Sequence, residues 1–176
     1  MTMKAEIERG DLTAGEIVNR WGEKELADII YRYGEERFSR RIARNIVEKR
    51  VKKRIETTFE LVEIIRLSVP PNYRNNKRLH CATRTFQALR IAVNDELGAL
   101  VDGLNKSWQV LEKGGRLVVI SFHSLEDRIV KKYFKDLMGT GEGKILTKKP
   151  LTPSEQEEAE NPRSRSAKLR AVEKLG

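Results

Sequence analysis

A single cysteine, Cys81, stands in 176 residues. One thiol cannot close an intrachain disulfide, so no disulfide framework is expected, and a reducing, cytoplasmic setting fits. Histidine is nearly as scarce, with only His80 and His123. Together with Cys81 they make no zinc-ligand spacing, so no metal site is expected. No apolar run approaches the roughly 20 residues that cross a bilayer. The opening residues, Met1-Thr2-Met3-Lys4-Ala5-Glu6-Ile7-Glu8, lack the apolar centre of a signal peptide. No membrane partner is expected. Also missing are an internal repeat, an extended low-complexity stretch and a Gly-x-Ser-x-Gly nucleophile elbow, so a serine hydrolase is a poor fit.

What is present is charge. Charged residues make up 35% of the chain, and lysine plus arginine exceed the acids by 35 to 26, a net +9. Such a balance points to a polyanionic partner, most plausibly nucleic acid. The excess is local. Between Arg37 and Arg54 lie Arg37, Arg40, Arg41, Arg44, Lys49, Arg50, Lys52, Lys53 and Arg54 against one acid, Glu48. Arg37, Arg40, Arg41 and Arg44 fall three and four apart and share a helix face that can hold phosphates. Arg74, Lys77, Arg78 and Arg84 continue the basic character. Arg163, Arg165, Lys168 and Arg170 form a second basic segment, expected to alternate along a final strand, Ala167 to Glu173, at a sheet edge guarded by charge.

The first third reads as helices. Thr13 with Glu16, and Thr57 with Glu60, have capping-box spacing, and Leu12 with Ile17 fit a hydrophobic staple. Gly22 caps a second helix that Gly34 stops in the left-handed region. A third helix is expected over 35–54, and Pro70-Pro71 ends the fourth. A loop from Asn72 to His80 leads to one long helix over 82–112, striped by Phe86, Leu89, Val93, Leu97, Leu100, Leu104, Trp108 and Leu111.

Arg116 to Arg128 is the most pointed segment. Gly114-Gly115 sets the start of a strand whose core, Leu117-Val118-Val119-Ile120, is continuously apolar, as in a strand covered on both faces. Ser124 is placed to cap the next helix, with Asp127 three residues on. Ligands gather at the carboxyl ends of strands in open α/β sheets. His123 stands at that end, where a histidine can serve as acid, base or donor. No partner for it is visible in sequence, so it is read as lining a site rather than moving a proton. Capping and favourable charge at a helix start account for Ser124, Glu126 and Asp127. Gly139-Thr140-Gly141-Glu142-Gly143 imitates a phosphate loop, but it follows a helix and precedes a short strand expected over 144–148. It is read as a turn. Thr152-Pro153-Ser154-Glu155 starts a brief acidic helix with proline at its first position.

Ser121-Phe122-His123-Ser124-Leu125-Glu126-Asp127-Arg128 resembles a signature of the bacterial 16S ribosomal RNA cytosine-N4 methyltransferases, which use S-adenosylmethionine. Ala82-Thr83-Arg84-Thr85-Phe86-Gln87-Ala88-Leu89-Arg90 looks like a second signature of that family. Asn161-Pro162-Arg163-Ser164-Arg165-Ser166-Ala167-Lys168-Leu169-Arg170 is similar to its closing motif. The resemblance runs over nearly the whole chain. Cys81 departs from it, standing where the family usually has proline.

The resemblance implies an α/β fold: a Rossmann-like methyltransferase domain carrying a helical insertion, here mostly helical by residue count. Residues 1–10 would be a lead-in, 11–80 the helical insertion that helps hold RNA, and 81–176 the later half of the catalytic domain. The implied activity is methylation of the exocyclic N4 of a cytidine in the decoding region of 16S RNA, free or in the small ribosomal subunit. His123 and Ser124 would line the pocket wall near the target base. Arg37, Arg40, Arg41, Arg44, Arg84, Arg163, Arg165 and Lys168 would contact RNA. The family's cofactor site lies upstream of everything matched, so no residue here is assigned to S-adenosylmethionine, and the chain alone is expected to be inactive. Half a parallel sheet exposes an edge and apolar faces, so poor stability or self-association, as a homodimer for example, is also expected. The rival reading is a standalone basic helical RNA-binding module without catalysis.

Overall fold

Capping chemistry builds the first half of the chain as the sequence suggests. In the computed structural model, which describes residues 12–75 and 79–176, α1 (Ala14–Arg20) begins where the Thr13 hydroxyl accepts the Glu16 N–H at 3.1 Å. The lead-in 1–10 and the basic residues Lys77 and Arg78 lie outside the described residues. Glu25 accepts the Gly22 N–H at 2.8 Å and opens α2 (Glu23–Arg32). α3 spans Ser39–Lys52, starting later than its charge run suggests. α4 (Thr58–Ser68) has the full Thr57–Glu60 capping box. Pro70 then caps a single turn, α5 (Pro71–Arg74), inside the expected loop.

The chain forms two compact units, one ending at Glu96 and one beginning at Leu97. The long helix expected over 82–112 is interrupted. α6 covers Thr83–Asn94, α7 covers Glu96–Val110, and Asp95 between them takes the left-handed conformation at φ 46°. Aspartate tolerates that region better than most residues, because its short side chain bonds locally. α6 joins the core of the first unit, which is built on Ile17, Leu26, Ile30, Ile42, Ile46, Leu61 and Ile65, all at most 1% exposed. Each such side chain contributes about 1.5–3 kcal/mol by burial.

Gly34 does not stop α2 in the left-handed region; the residue that turns there is Glu35, at φ 50°. Gly34 is needed for a different reason. A Cβ on it would lie 2.5 Å from the Arg84 carbonyl oxygen and 2.6 Å from that of Ile30. The absence of a side chain is what lets α6 approach α2. Beside it, buried Glu36 accepts the Phe38 N–H at 2.8 Å and the Tyr73 hydroxyl at 2.5 Å. Burial, and then the Glu36 carboxylate, push the Tyr73 phenol up to about 12.

In the second unit, β1 (Arg116–Ser121) leads into α8 (Ser124–Gly139), followed by β2 (Gly143–Ile145), α9 (Glu155–Glu160), a 3-10 turn over Pro162–Ser166 and β3 (Lys168–Lys174). The sheet order is β1-β3-β2, and both pairings are antiparallel, with Val119 opposite Arg170. This small sheet is compatible with part of a methyltransferase-like α/β domain. β3 is therefore the central strand, not the expected edge strand. Arg163 and Arg165 sit on the 3-10 turn rather than alternating along a strand. Ser154 caps α9, so Pro153 precedes the cap instead of occupying the first helical position.

Leu104 and Trp108 of α7, Val130, Phe134 and Leu137 of α8 and Val172 of β3 form the second core. Leu117 and Val119 of β1 pack on it, but Val118 and Ile120 point the other way and are 52% and 54% exposed. The strand expected to be covered on both faces is covered on one among the described residues. Its continuous apolar run is not satisfied by this unit alone. The Gly139–Gly143 segment is the expected turn, with Gly141 at φ 79°. No helix among the described residues is long and apolar enough to cross a membrane.

Candidate functional site

The junction of β1 and α8 is held by reciprocal hydrogen bonds one residue earlier than the sequence suggests. His123, not Ser124, is the cap. Its Nδ1 accepts the Glu126 N–H at 3.3 Å. Glu126 reaches back, and its Oε2 accepts the N–H of Phe122 at 2.8 Å and of His123 at 3.3 Å. Two otherwise orphaned amides at the strand end are thereby satisfied within the motif. The far ring nitrogen of His123, Nε2, is buried and makes no hydrogen bond. It lies 3.4 Å from Glu126 Oε1, outside hydrogen-bonding geometry. A buried polar atom without a partner is uncommon in folded proteins and marks a place where a ligand group can be received.

Asp127, read from sequence as helix-start charge, performs another task. Its carboxylate accepts Arg170 Nε at 2.7 Å and Nη2 at 3.2 Å, and both side chains are buried. Arg170 holds the Asp127 carboxyl below the usual carboxylate range against the opposing effect of burial. Lys168 Nζ stands 3.7 Å from the same carboxylate, and Lys168 is the β3 partner of Ser121. The pair thus ties the Ser121–Arg128 segment to the Asn161–Arg170 segment, which are distant in sequence. Arg170 was not among the expected site residues; its regular spacing with Lys168 was the available signal.

The expected RNA-contacting residues fall in both units. Arg37, Arg40 and Arg41 come together around a cavity of about 440 Å³ between α2 and α3. The Arg37 guanidinium lies 4.7 Å from the centre of the Phe38 ring and 5.1 Å from that of Tyr73. Arg44, one turn on in α3, does not line the cavity and lies 3.8 Å from Glu23. Arg84 donates to the Glu35 carbonyl at 3.0 Å. Arg163 and Arg165 are exposed in the second unit, and Lys168 is half-buried beside Asp127. Tyr31, which the sequence reading passed over, also lines the cavity while 64% exposed. The clue lay in its position off the Leu26, Ala27 and Ile30 stripe of α2.

The described residues do not fit S-adenosylmethionine. Its cradle in such folds needs a glycine-rich turn running from a strand into a helix, with free amides. The Gly139–Gly143 cluster runs from α8 into β2, and its Glu142 accepts the Trp108 indole N–H at 3.4 Å. The strand-to-helix turn at Phe122 and His123 has its amides occupied by Glu126.

A family model for the MraW methylase family matches residues 1–175. The chain belongs to the MraW methylase family. This is the family that the three sequence signatures resemble. Among its relatives, the ribosomal RNA small subunit methyltransferase H of Kosmotoga olearia is 55% identical over 167 residues, covering 94% of this chain and 55% of that protein. The same enzyme of Synechocystis sp. is 56% identical over 165 residues, 94% of this chain and 52% of the relative. That of Nostoc punctiforme is 56% identical over 170 residues, 96% of this chain and 55% of the relative. The chain spans about half the length of the curated relatives it matches. In this MraW methylase family chain the β1–α8 junction and the Asp127–Arg170 pair join two of the signature segments.

Proposed function

We propose that this chain supplies the RNA-holding and pocket-lining part of an S-adenosylmethionine-dependent methyltransferase acting on the N4 amine of a cytidine in 16S RNA. Residues 11–80 are the helical insertion that grips the small-subunit RNA, and 81–176 the later half of the catalytic domain. The observation that carries the reading is the buried Nε2 of His123, which makes no hydrogen bond, at the end of a strand in a chain of this family. His123 and Ser124 form the pocket wall. Their work is orientation: a cytosine amine needs positioning more than a strong base, because its proton can leave after methyl transfer. S-adenosylmethionine supplies the methyl group when bound, and its cradle belongs to the portion of the relatives that this chain does not span.

The test is reconstitution. Mixed with a fragment carrying the glycine-rich half of a relative, the chain restores methyl transfer to small-subunit RNA, and neither piece acts alone. RNA retention without restored transfer would favour a standalone RNA-binding module. A sharper variant separates cap from pocket. His123→Asn keeps a helix cap, so stability changes by less than about 1 kcal/mol. It removes Nε2, so transfer in the reconstituted enzyme falls at least about ten-fold. Unchanged transfer with unchanged stability would remove His123 from the wall.

A further inference from the structure

We propose that the cavity between α2 and α3 is a seat for one unstacked nucleotide of single-stranded RNA, with the base stacked on Tyr31 and the flanking phosphates on Arg40 and Arg41. This rests on the RNA-holding role proposed above and gives it a location and a substrate form. Three observations converge. The first is size and shape: about 440 Å³ between two helices of one compact unit is an opening on the scale of small-ligand sites.

The second is an exposed aromatic. Tyr31 lines the cavity yet stays 64% exposed, while the buried residues of α2 are Leu26, Ala27 and Ile30. An exposed ring beside arginines is the arrangement by which proteins bind single strands, since every base has a stacking face. The third is unspent positive charge. Among the described residues, Arg37, Arg40 and Arg41 have no carboxylate within ion-pair distance, whereas neighbouring Arg44 has Glu23 and Lys53 has Glu60. Arg37 is pinned against Phe38 and Tyr73, so its guanidinium is presented in one orientation.

Asp28 also lines the cavity. Its carboxylate disfavours a bare phosphate inside but accepts a hydrogen bond from an exocyclic base amine. The interior thus suits a base and the rim suits phosphates. A duplex cannot use such a seat, because its bases stay stacked on one another.

The experiment measures binding of the whole chain to a short single-stranded RNA of mixed sequence and to the same RNA as a duplex, over a range of salt. Single strand is expected to bind more tightly. Tyr31→Ala should weaken it about 5- to 150-fold, the worth of one base–aromatic stack. Tyr31→Phe should hold within about two-fold, because the ring alone stacks. Arg40→Ala and Arg41→Ala should each lower the salt slope by about 1. Inorganic phosphate alone should not compete at concentrations where a mononucleotide does. If RNA binds but Tyr31→Ala leaves affinity unchanged, or duplex binds equally well, the seat is overturned while the RNA-holding role stands. If the unaltered chain retains no RNA, both fall. Circular dichroism of each variant checks that the exposed substitutions leave the helices intact.

Discussion

Asp127→Ala is expected to destabilise the second unit by about 3–5 kcal/mol, the effect of stripping a buried charge of its partner. The substitution leaves the Arg170 guanidinium, 7% exposed, facing a space with no carboxylate at 2.7 Å. Arg170→Ala should be milder. The Asp127 carboxylate it leaves behind still has Lys168 Nζ at 3.7 Å, and Lys168 is exposed enough to swing closer. The double replacement Asp127→Leu with Arg170→Met should recover most of the loss, since an apolar pair of similar volume avoids desolvating two charges. The readout is urea denaturation followed by Trp108 emission in a Trp21→Phe background, which restricts the signal to this unit. Either single variant unfolding at the unaltered urea midpoint would mean that the pair does not tie the two segments together.

The same pair sets an acid limb. Arg170 holds the folded Asp127 carboxyl below its ordinary range, so the unfolded chain takes up the proton first. The stabilisation is complete above the unfolded value of about 4 and fades as the pH falls through the lower folded value. Asp127→Asn should flatten the stability profile below about pH 4. An acid limb of unchanged slope in that variant would assign the effect to other carboxylates.

Local chemistry made much of the helical unit legible. Thr13, Gly22 and Thr57 sit at helix starts because hydroxyls and acids three residues apart satisfy amides regardless of tertiary context. The limits appear where the deciding partner is remote. Ser124 is the cap expected at the β1–α8 junction, and the backbone gives that place to His123. The Phe86–Leu111 stripe continues through Asp95 without a change of period, yet the backbone breaks there. Strand direction leaves no mark on an apolar run, so the antiparallel pairing of β1 with β3 was not readable. The site divides the same way. The strand-end position of His123 is readable locally, but the Asp127–Arg170 bond spans 43 positions, and Tyr31 meets Arg40 and Arg41 only around the cavity. Val118 and Ile120, with Phe122 also 54% exposed, show what this unit leaves uncovered.

Gly34→Ala and Gly103→Ala are expected to move stability in opposite directions, although in the sequence both are lone glycines in or beside helices. At Gly103, on the exposed side of α7, an added Cβ meets nothing within 4 Å. Alanine there removes backbone freedom from the unfolded chain and favours the helix by about 0.5–1 kcal/mol. At Gly34 the added Cβ would be 2.5 Å from the Arg84 carbonyl oxygen and 2.6 Å from that of Ile30. Both are backbone atoms, one on α6 and one on α2, so neither can rotate away as a side-chain tip would. Relief requires α6 to shift from α2, which disturbs Ala88 and Leu89 where α6 joins the core. The expected loss is about 3 kcal/mol, the upper end for an over-packed site. Arg84 should be released as well, because its bond to the Glu35 carbonyl depends on the same approach. Hydrogen exchange resolved by peptide separates the two outcomes within one experiment: protection in α2 and α6 should drop for Gly34→Ala, and protection in α7 should rise for Gly103→Ala. If Gly34→Ala left α2 and α6 as protected as before, α6 would have to be free to move away from α2 at little cost, and the close approach at Gly34 would not be what holds α6 in the helical unit.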